Sequence, residues 1–150
     1  MDAMDRKILA ELQQDGRLTV TELAERVRLS QSPCHRRVRA LEASGVISGY
    51  RAYLNADVLG LTFNALIFVT MRSSDRDTLD AFEQAVIAIP HVVQAQRLFG
   101  DPDYLLRVVA ADLPAFQSLY DNRLATLPGV GRLSSTLVMK PIVENRSLPL

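Results

Sequence analysis

Only three residues, Arg28 to Ser30, separate two stretches of helical pattern in the first third of the chain. In the first stretch, "TVTELAERV", Thr19 and Glu22 have the spacing of a capping box, and apolar residues recur at helical intervals. The second stretch begins after Ser30, which can cap it, and places Pro33 in its first turn, where the missing N–H costs nothing. Two short helices joined so closely must cross at a steep angle, so the spacing predicts a helix-turn-helix.

The outward face of the second of these helices is polar and basic. At 100° per residue, Cys34, Val38 and Leu41 point toward the other helices, and polar and basic side chains occupy the opposite side. Such side chains suit base edges and phosphates in a major groove. The residues predicted to contact DNA are Arg28, Ser30, Gln31, Ser32, His35, Arg36, Arg37 and Arg39. From the residues alone, a solvated face on a three-helix interaction module remains the alternative.

Two further segments complete this half of the chain. "DAMDRKILAELQQDG" has an apolar stripe, with Asp2 and Asp5 at the positive N-terminal end of the predicted helix. After Gly45 ends the third helix, "VISGYRAYL" is predicted to leave the domain as a strand or wing. Residues 1–54 are therefore predicted to form the DNA-binding domain.

The charge distribution favours a nucleic acid partner, although the net charge of the chain is zero. Five arginines and no acidic residue lie between Arg26 and Leu41, whereas acids and bases alternate elsewhere. A local basic patch on a neutral protein can hold phosphates without binding every polyanion.

Composition disfavours several other classes of protein. The single Cys34 excludes an internal disulfide, and without a Cys/His cluster a structural zinc site is not expected. No apolar run approaches the ~18 residues of a membrane span, and the acidic start of the chain is unlike a secretory or transit peptide. We therefore expect a cytoplasmic protein with no metal, no cofactor and no membrane partner.

The remainder of the chain follows the order β-α-β-β-α-β, the ferredoxin-like arrangement, which makes the whole an α+β protein. The expected strands are "FNALIFVTM", "HVVQAQRLF", "YLLRVVAA" and "GVGRLSSTLVMKPIV", and the expected helices are "RDTLDAFEQAVIAI" and "DLPAFQSLYDNRLATL". The first strand is too apolar for a solvated face, so we expect the open side of the sheet to pack against another subunit. Residues 55–61 are predicted to be a linker and residues 62–150 the second domain.

With both halves considered, the chain resembles the Lrp/AsnC (feast/famine) family of transcriptional regulators. The resemblance rests on "LSQSPCHRRVRALEASGVISGY" in the first half and on "GDPDYLLRV", "LPGV" and "SSTLVMKPI" in the second. It implies a winged helix-turn-helix followed by an effector-binding and oligomerisation domain. It also implies a homo-oligomer of dimers, such as an octamer, that binds double-stranded DNA in a sequence-specific way and responds to an amino acid or related small molecule.

The resemblance further implies a small-molecule site near the contact between dimers. Its expected residues are Gly100, Asp101, Asp103, Tyr104, Asn122, Leu133 and Ser135. A zwitterionic amino acid would place its ammonium at Asp103 and its carboxylate at loop N–H groups near Gly100. From the chemistry alone, Asp101 and Asp103 are more typical of turn residues that accept from their own backbone.

Three positions depart from the pattern of the family. Arg28 stands where the turn often carries glycine, and if φ is positive there, Arg costs about 1 kcal/mol relative to Gly. Pro102 stands where the family commonly has an aromatic or polar residue, and Leu133 where it often has threonine. Because both replacements are apolar, we expect an apolar or aromatic effector.

Two other functions compete with that of a transcriptional regulator. A small ferredoxin-like enzyme would need a convergent acid, base or nucleophile, and we find none. Cys34 and His35 are neighbours on a helix and point about 100° apart, so they cannot form a dyad. We therefore expect no enzymatic activity. A nucleoid-type architectural protein with weak sequence preference is the alternative, and it differs from a regulator in binding random and specific duplexes alike.

Overall fold

Three helices with a common core form at the start of the computed structural model, which describes residues 1–150. They are α1 (Ala3–Gln14), α2 (Val20–Val27) and α3 (Gln31–Ala43). Capping boxes begin the first two, between Asp2 and Asp5 in α1 and between Thr19 and Glu22 in α2, where it was predicted. The buried side chains of the three helices are Ile8, Leu9, Leu23, Ala24, Val27, Cys34, Val38 and Leu41. The prediction that Cys34 is a buried apolar residue is confirmed, and burial raises the pKa of its thiol.

The turn between α2 and α3 depends on the left-handed conformation of Arg28, with φ 61° and ψ 48°. The N–H of Arg28 donates to the Glu25 carbonyl and that of Leu29 to the Ala24 carbonyl, which closes the end of α2. Because φ is positive at this position, Arg carries the cost that Gly would avoid. Ser30 is the N-cap residue of α3, but its side chain makes no capping hydrogen bond, and that part of the prediction is wrong.

The segment after α3, predicted to be a strand or wing, contains no strand. Residues 46–54 form no strand, because no other segment of the chain pairs with them. Ile47 instead packs against the three-helix core, and its N–H donates to the Leu41 carbonyl. The segment therefore finishes the helical core before it leads into the linker.

The second half of the chain has the predicted element order. Its strands are β1 (Phe63–Met71), β2 (Val92–Arg97), β3 (Tyr104–Ala110) and β4 (Val130–Leu137). Its helices are α4 (Arg76–Ile87) and α5 (Leu113–Leu119), and α5 continues into a π-helical turn, Tyr120–Leu124. The sheet has the order β2-β3-β1-β4 with every neighbouring pair antiparallel. This arrangement confirms the ferredoxin-like prediction.

The two faces of β1 are buried to different extents. Ile67 and Val69 face the helices and are fully buried in a core that they share with residues of α4, β3 and α5. Leu66 and Phe68 point to the opposite face and are half-buried, with Phe68 opposite Leu105 of β3. The strand predicted to be buried on both sides is therefore fully buried on one side and partly open on the other.

The chain divides into two compact units, and each is described by itself. One unit comprises Met1–Leu54 with Ile142–Leu150, and the other comprises Asn55–Pro141. The C-terminal segment joins the first unit through Gln13, whose side-chain amide exchanges two hydrogen bonds with the backbone of Leu148, at 2.6 and 3.2 Å. The domain bounds expected from the sequence stay a prediction, and the grouping of residues 142–150 with the first unit differs from them.

Candidate DNA interface and ligand site

The outward face of α3 carries polar side chains that make no hydrogen bond within the chain. Gln31, Ser32, His35 and Arg36 are all exposed. The opposite side of the helix is buried in the three-helix core. Side chains left free in this way can bond base edges and phosphates, so the face has the chemistry of a recognition helix.

Arg37, also predicted to contact DNA, has partners within the chain. Its Nη1 donates to Oδ1 of Asp5 at 2.7 Å and to Oδ2 of Asp2 at 2.8 Å. The hydrogen bonds to Asp5 and Asp2 raise the pKa of the Arg37 guanidinium. The backbone N–H of Asp5 and then Arg37 lower the pKa of the Asp2 carboxyl. Arg37 thus ties α3 to the start of α1.

The other arginines of the basic patch differ in whether they form ion pairs within the chain. Arg26 and Arg39 each lie near a glutamate, at 3.3 and 3.5 Å, although most of the Arg39 side chain stays exposed. Arg28 and Arg36 are exposed and form no ion pair. These two are the cations of the patch most available to phosphate oxygens or base edges.

The loop between β2 and β3 is fastened to the end of β1 by Asp103. Oδ2 of Asp103 accepts from the N–H of Met71 at 2.7 Å, and the backbone N–H of Asp103 donates to the Val69 carbonyl at 2.9 Å. The Asp103 carbonyl accepts from the N–H of Leu98 at 2.7 Å, which closes the hairpin. The Asp103 side chain therefore bonds a distant strand rather than its own turn backbone, which its turn position had predicted, and its Oδ1 accepts no hydrogen bond.

Gly100 and Asp101 lie in the same loop. Gly100 has a φ of 140°, a backbone conformation that residues other than glycine rarely adopt. Oδ1 of Asp101 accepts from the Thr70 hydroxyl at 3.3 Å, and Asp101 is otherwise exposed. Three of the predicted ligand residues are thus gathered beside the last residues of β1.

The other four predicted ligand residues lie elsewhere in the same unit. Tyr104 and Leu133 flank Val69 on the helix-facing side of the sheet. Ser135 is exposed on β4, and the side-chain amide of Asn122 donates to the Ser118 carbonyl at 2.8 Å. No side-chain hydrogen bond joins these four residues to the loop.

Two charged residues that the sequence patterns did not single out meet at Tyr104. The hydroxyl of Tyr104 donates to Oε1 of Glu83 at 2.8 Å, and Nη1 of Arg97 lies 3.8 Å from the same oxygen. Burial and then the hydrogen bond to Glu83 raise the pKa of Tyr104 to about 12. The hydroxyl therefore keeps its proton near neutral pH and remains a donor. Only the register of β2 on β3, which sets Arg97 opposite Tyr104, brings this group together.

This charged group borders a cleft of about 250 Å³ between α4 and β2. The apolar residues that line the cleft are Phe82, Val86, Ile87, Ala95 and Leu106. Phe82 and Leu106 belong to the fully buried core, whereas Ile87 is 74% exposed. The cleft thus combines an apolar floor with one carboxylate and one guanidinium at its edge.

No group of three or more His, Cys, Asp or Glu side chains is arranged to hold a metal ion. No helix is both long and apolar enough to cross a membrane.

Comparison with known families gives two matches that together span almost the whole chain. A family profile described as winged helix-turn-helix DNA-binding matches residues 1–48, and one described as Lrp/AsnC ligand binding domain matches residues 64–148. The leucine-responsive regulatory protein of Rhizobium meliloti is 42% identical over 96% of this chain and 92% of its own length. The Bkd operon transcriptional regulator of Pseudomonas aeruginosa is 37% identical over 100% of this chain and 98% of its own.

A solved structure is similar over the same length. A transcriptional regulator from Neisseria meningitidis, crystallised as a complex with L-Met, superimposes with a TM-score of 0.94. It is 39% identical in sequence, and the alignment covers 99% of this chain and 96% of that one.

Proposed function

The chain belongs to the Lrp/AsnC family of transcriptional regulators, and from this premise we propose that the α3 face reads operator DNA while the loop before β3 binds an amino acid effector. The proposal that α3 binds DNA rests on one observation. The side chains of Arg36, His35 and the N-terminal residues of α3 are exposed and make no hydrogen bond within the chain. A recognition helix presents its N-terminal residues to base edges. Arg28 and Arg39 add phosphate contacts, while Arg37 is held by α1 and orients the helix.

Binding measurements on two arginine variants test this assignment. Arg36→Ala should lose about 1–3 kcal/mol of specific binding if Arg36 contacts a base. Arg28→Ala should weaken binding to all duplexes and reduce the salt slope by about 1. Arg76→Ala is the matched control, because Arg76 is an exposed arginine of α4 whose loss changes the net charge equally. Operator affinity that survives Arg36→Ala would show that the reading face is misassigned.

The same titrations separate a regulator from an architectural protein. A regulator should prefer its operator to a random duplex of equal length at the same salt concentration. Equal affinity for the two duplexes would favour an architectural role.

We propose an amino acid with an apolar side chain as the effector, bound at the loop that contains Gly100, Asp101 and Asp103. The solved relative with L-Met supports this class of ligand. Oδ1 of Asp103 and the exposed carboxylate of Asp101 are open to an ammonium, and loop N–H groups near Gly100 can take the carboxylate. Titration calorimetry with L-Met on the wild type and on Asp103→Asn tests the site, with Asp77→Asn as a control for the loss of one carboxylate.

We also propose that the regulator acts in the cytoplasm, where its DNA lies, as an oligomer of dimers. The open face of the sheet supports assembly, because the half-buried Leu66, Phe68 and Leu105 form an apolar surface that a second copy would cover. Further contacts between dimers, up to an octamer, would place the loop of one dimer beside another. Ligand would then bias both assembly and DNA affinity, and the two effects must be linked reciprocally.

A further inference from the structure

The cleft between α4 and β2 has the features of a ligand site that is separate from the β2–β3 loop. Its floor is apolar and includes Phe82 and Leu106, which are almost completely buried. Its volume of about 250 Å³ is slightly below the usual ~300–1,000 Å³ of pockets for drug-sized ligands. A ligand of this cleft is therefore small and partly apolar.

The charged edge of the cleft has unused bonding capacity. Tyr104 and Arg97 both approach Oε1 of Glu83, which leaves Oε2 without a hydrogen bond. The Arg97–Glu83 separation of 3.8 Å is about 1 Å longer than a good charge-assisted hydrogen bond, and both side chains are 40% or more exposed. The Glu83 carboxylate and the Arg97 guanidinium are thus close enough to bind one ligand together. Their own contact is weak enough for a ligand to replace it.

The signs of these charges define the ligand further. A carboxylate beside a guanidinium gives the edge no net charge, so neither a simple anion nor a simple cation is favoured. A zwitterion can place its ammonium on Glu83 and its carboxylate on Arg97. Its apolar part would lie on Phe82 and Ala95 and would cover Ile87, which is otherwise 74% exposed.

We propose that the α4–β2 cleft is a second small-molecule site, which takes a zwitterion with a short apolar tail, the chemistry of a free aliphatic amino acid. The inference goes beyond the effector loop and does not depend on it. Tyr104 lines the cleft, and its neighbour Asp103 fastens the loop to β1. Occupancy of the cleft therefore acts on the residue next to the loop.

The test uses NMR of methyl and backbone amide groups of the full-length protein, with L-leucine as the probe. Methyl groups of Ala95 and Val86 report on the cleft, and the backbone amide of Met71, which donates to Asp103, reports on the loop. We expect saturable shifts at Ala95 and Val86, at least about tenfold weaker binding in Arg97→Gln and in Glu83→Gln, and no change in Asp101→Asn. Glu83→Gln keeps an acceptor for Tyr104, so the fold is retained.

Two analogues test whether both charges are needed. N-acetyl-L-leucine lacks the ammonium and isopentylamine lacks the carboxylate, and each should bind the cleft at least about tenfold more weakly than L-leucine. The absence of shifts at Ala95 and Val86 at millimolar L-leucine would overturn the proposal. Shifts that disappear in Asp101→Asn would also overturn it, because they would then be relayed from the loop. A shift at Met71 alone would leave the effector loop supported and the cleft rejected.

Discussion

Arg37 of α3 is bonded to Asp5 of α1, with Nη1 of the guanidinium 2.7 Å from Oδ1 of the carboxylate. A second bond, to Asp2, engages the same nitrogen at 2.8 Å. The capping box that starts α1 therefore also anchors the helix that is proposed to read DNA. The contact fixes the orientation of α3 without occupying the face that carries Arg36.

The first prediction concerns Arg37→Gln. Loss of the link to Asp2 and Asp5 should lower the thermal midpoint and weaken operator binding, because α3 is oriented less well. The salt slope of DNA binding should stay the same, because an arginine paired in this way releases no counterions from DNA. Gel-shift titrations at several salt concentrations measure the slope. Exchanging the two charges, Arg37→Asp with Asp5→Arg, should restore most of the lost thermal stability. A salt slope that falls by about 1 in Arg37→Gln would instead show that Arg37 contacts a phosphate.

The second prediction concerns acid. The pKa of Asp2 is lowered by the Asp5 N–H and then by Arg37, from its ordinary value of 3.8. A carboxyl whose pKa is lower in the folded state stabilises it fully above the ordinary value and loses that effect as the pH falls through the lowered one. Asp2→Asn should therefore have a lower midpoint than wild type at neutral pH, and the difference should shrink below pH 3.8. Thermal unfolding across this range, with Asp77→Asn as a control, provides the measurement.

The third prediction separates backbone strain from charge at Arg28. Arg28→Gly should raise the free energy of unfolding by about 1 kcal/mol, because glycine tolerates φ of 61° without cost. Arg28→Ala keeps the strain and removes the same cation. Both variants should weaken DNA binding equally, while only the glycine variant should gain stability. Chemical unfolding and salt-dependent binding measure the two effects, and unequal DNA affinities would mean that the turn itself adapts to DNA.

The fourth prediction concerns the open face of the sheet. Phe68→Glu should shift the protein toward the monomer in sedimentation, because the carboxylate would be buried by a second copy. The helix-facing side of β1 is untouched, so the unit should stay folded, as circular dichroism can check. Phe68→Leu keeps an apolar surface and should assemble like the wild type. Unchanged assembly of the glutamate variant would place the interface on another surface.

The fifth prediction distinguishes the two roles of Asp103. Asp103→Ala leaves the N–H of Met71 without its acceptor and should cost about 1–3 kcal/mol of stability. Asp103→Asn keeps an acceptor oxygen and should unfold close to wild type while it binds L-Met more weakly. Unfolding and calorimetry on the two variants provide the comparison. Equal losses of stability would mean that the charge, rather than the hydrogen bond, holds the loop.

Features that depend on residues close in sequence were predictable. The capping box of Thr19 and Glu22 and the buried side of α3 both follow from short spacings and helical periodicity. The order of strands and helices was also sufficient to identify the ferredoxin-like sheet. These signals are local, or they repeat along one element.

Features that depend on distant pairings were not predictable. In sequence, Arg37 looks like the other polar residues of α3 that are proposed to contact DNA. Only the packing of α1 against α3 gives it the partners Asp2 and Asp5. The group of Glu83, Arg97 and Tyr104 needs the register of β2 on β3, which no periodicity specifies. The strand expected after α3 had the right composition but no partner to pair with.

The position of β1 in the middle of the sheet determines when the second unit can be completed during synthesis. β1 lies between β3 and β4, so one of its edges stays unpaired until the last strand has left the ribosome. The core of the three helices, by contrast, joins neighbours in sequence and can form first. A chain interrupted before Val130 would expose an apolar central strand to other chains, and an open edge of that kind promotes aggregation. Complete translation is thus a condition for solubility as well as for ligand response.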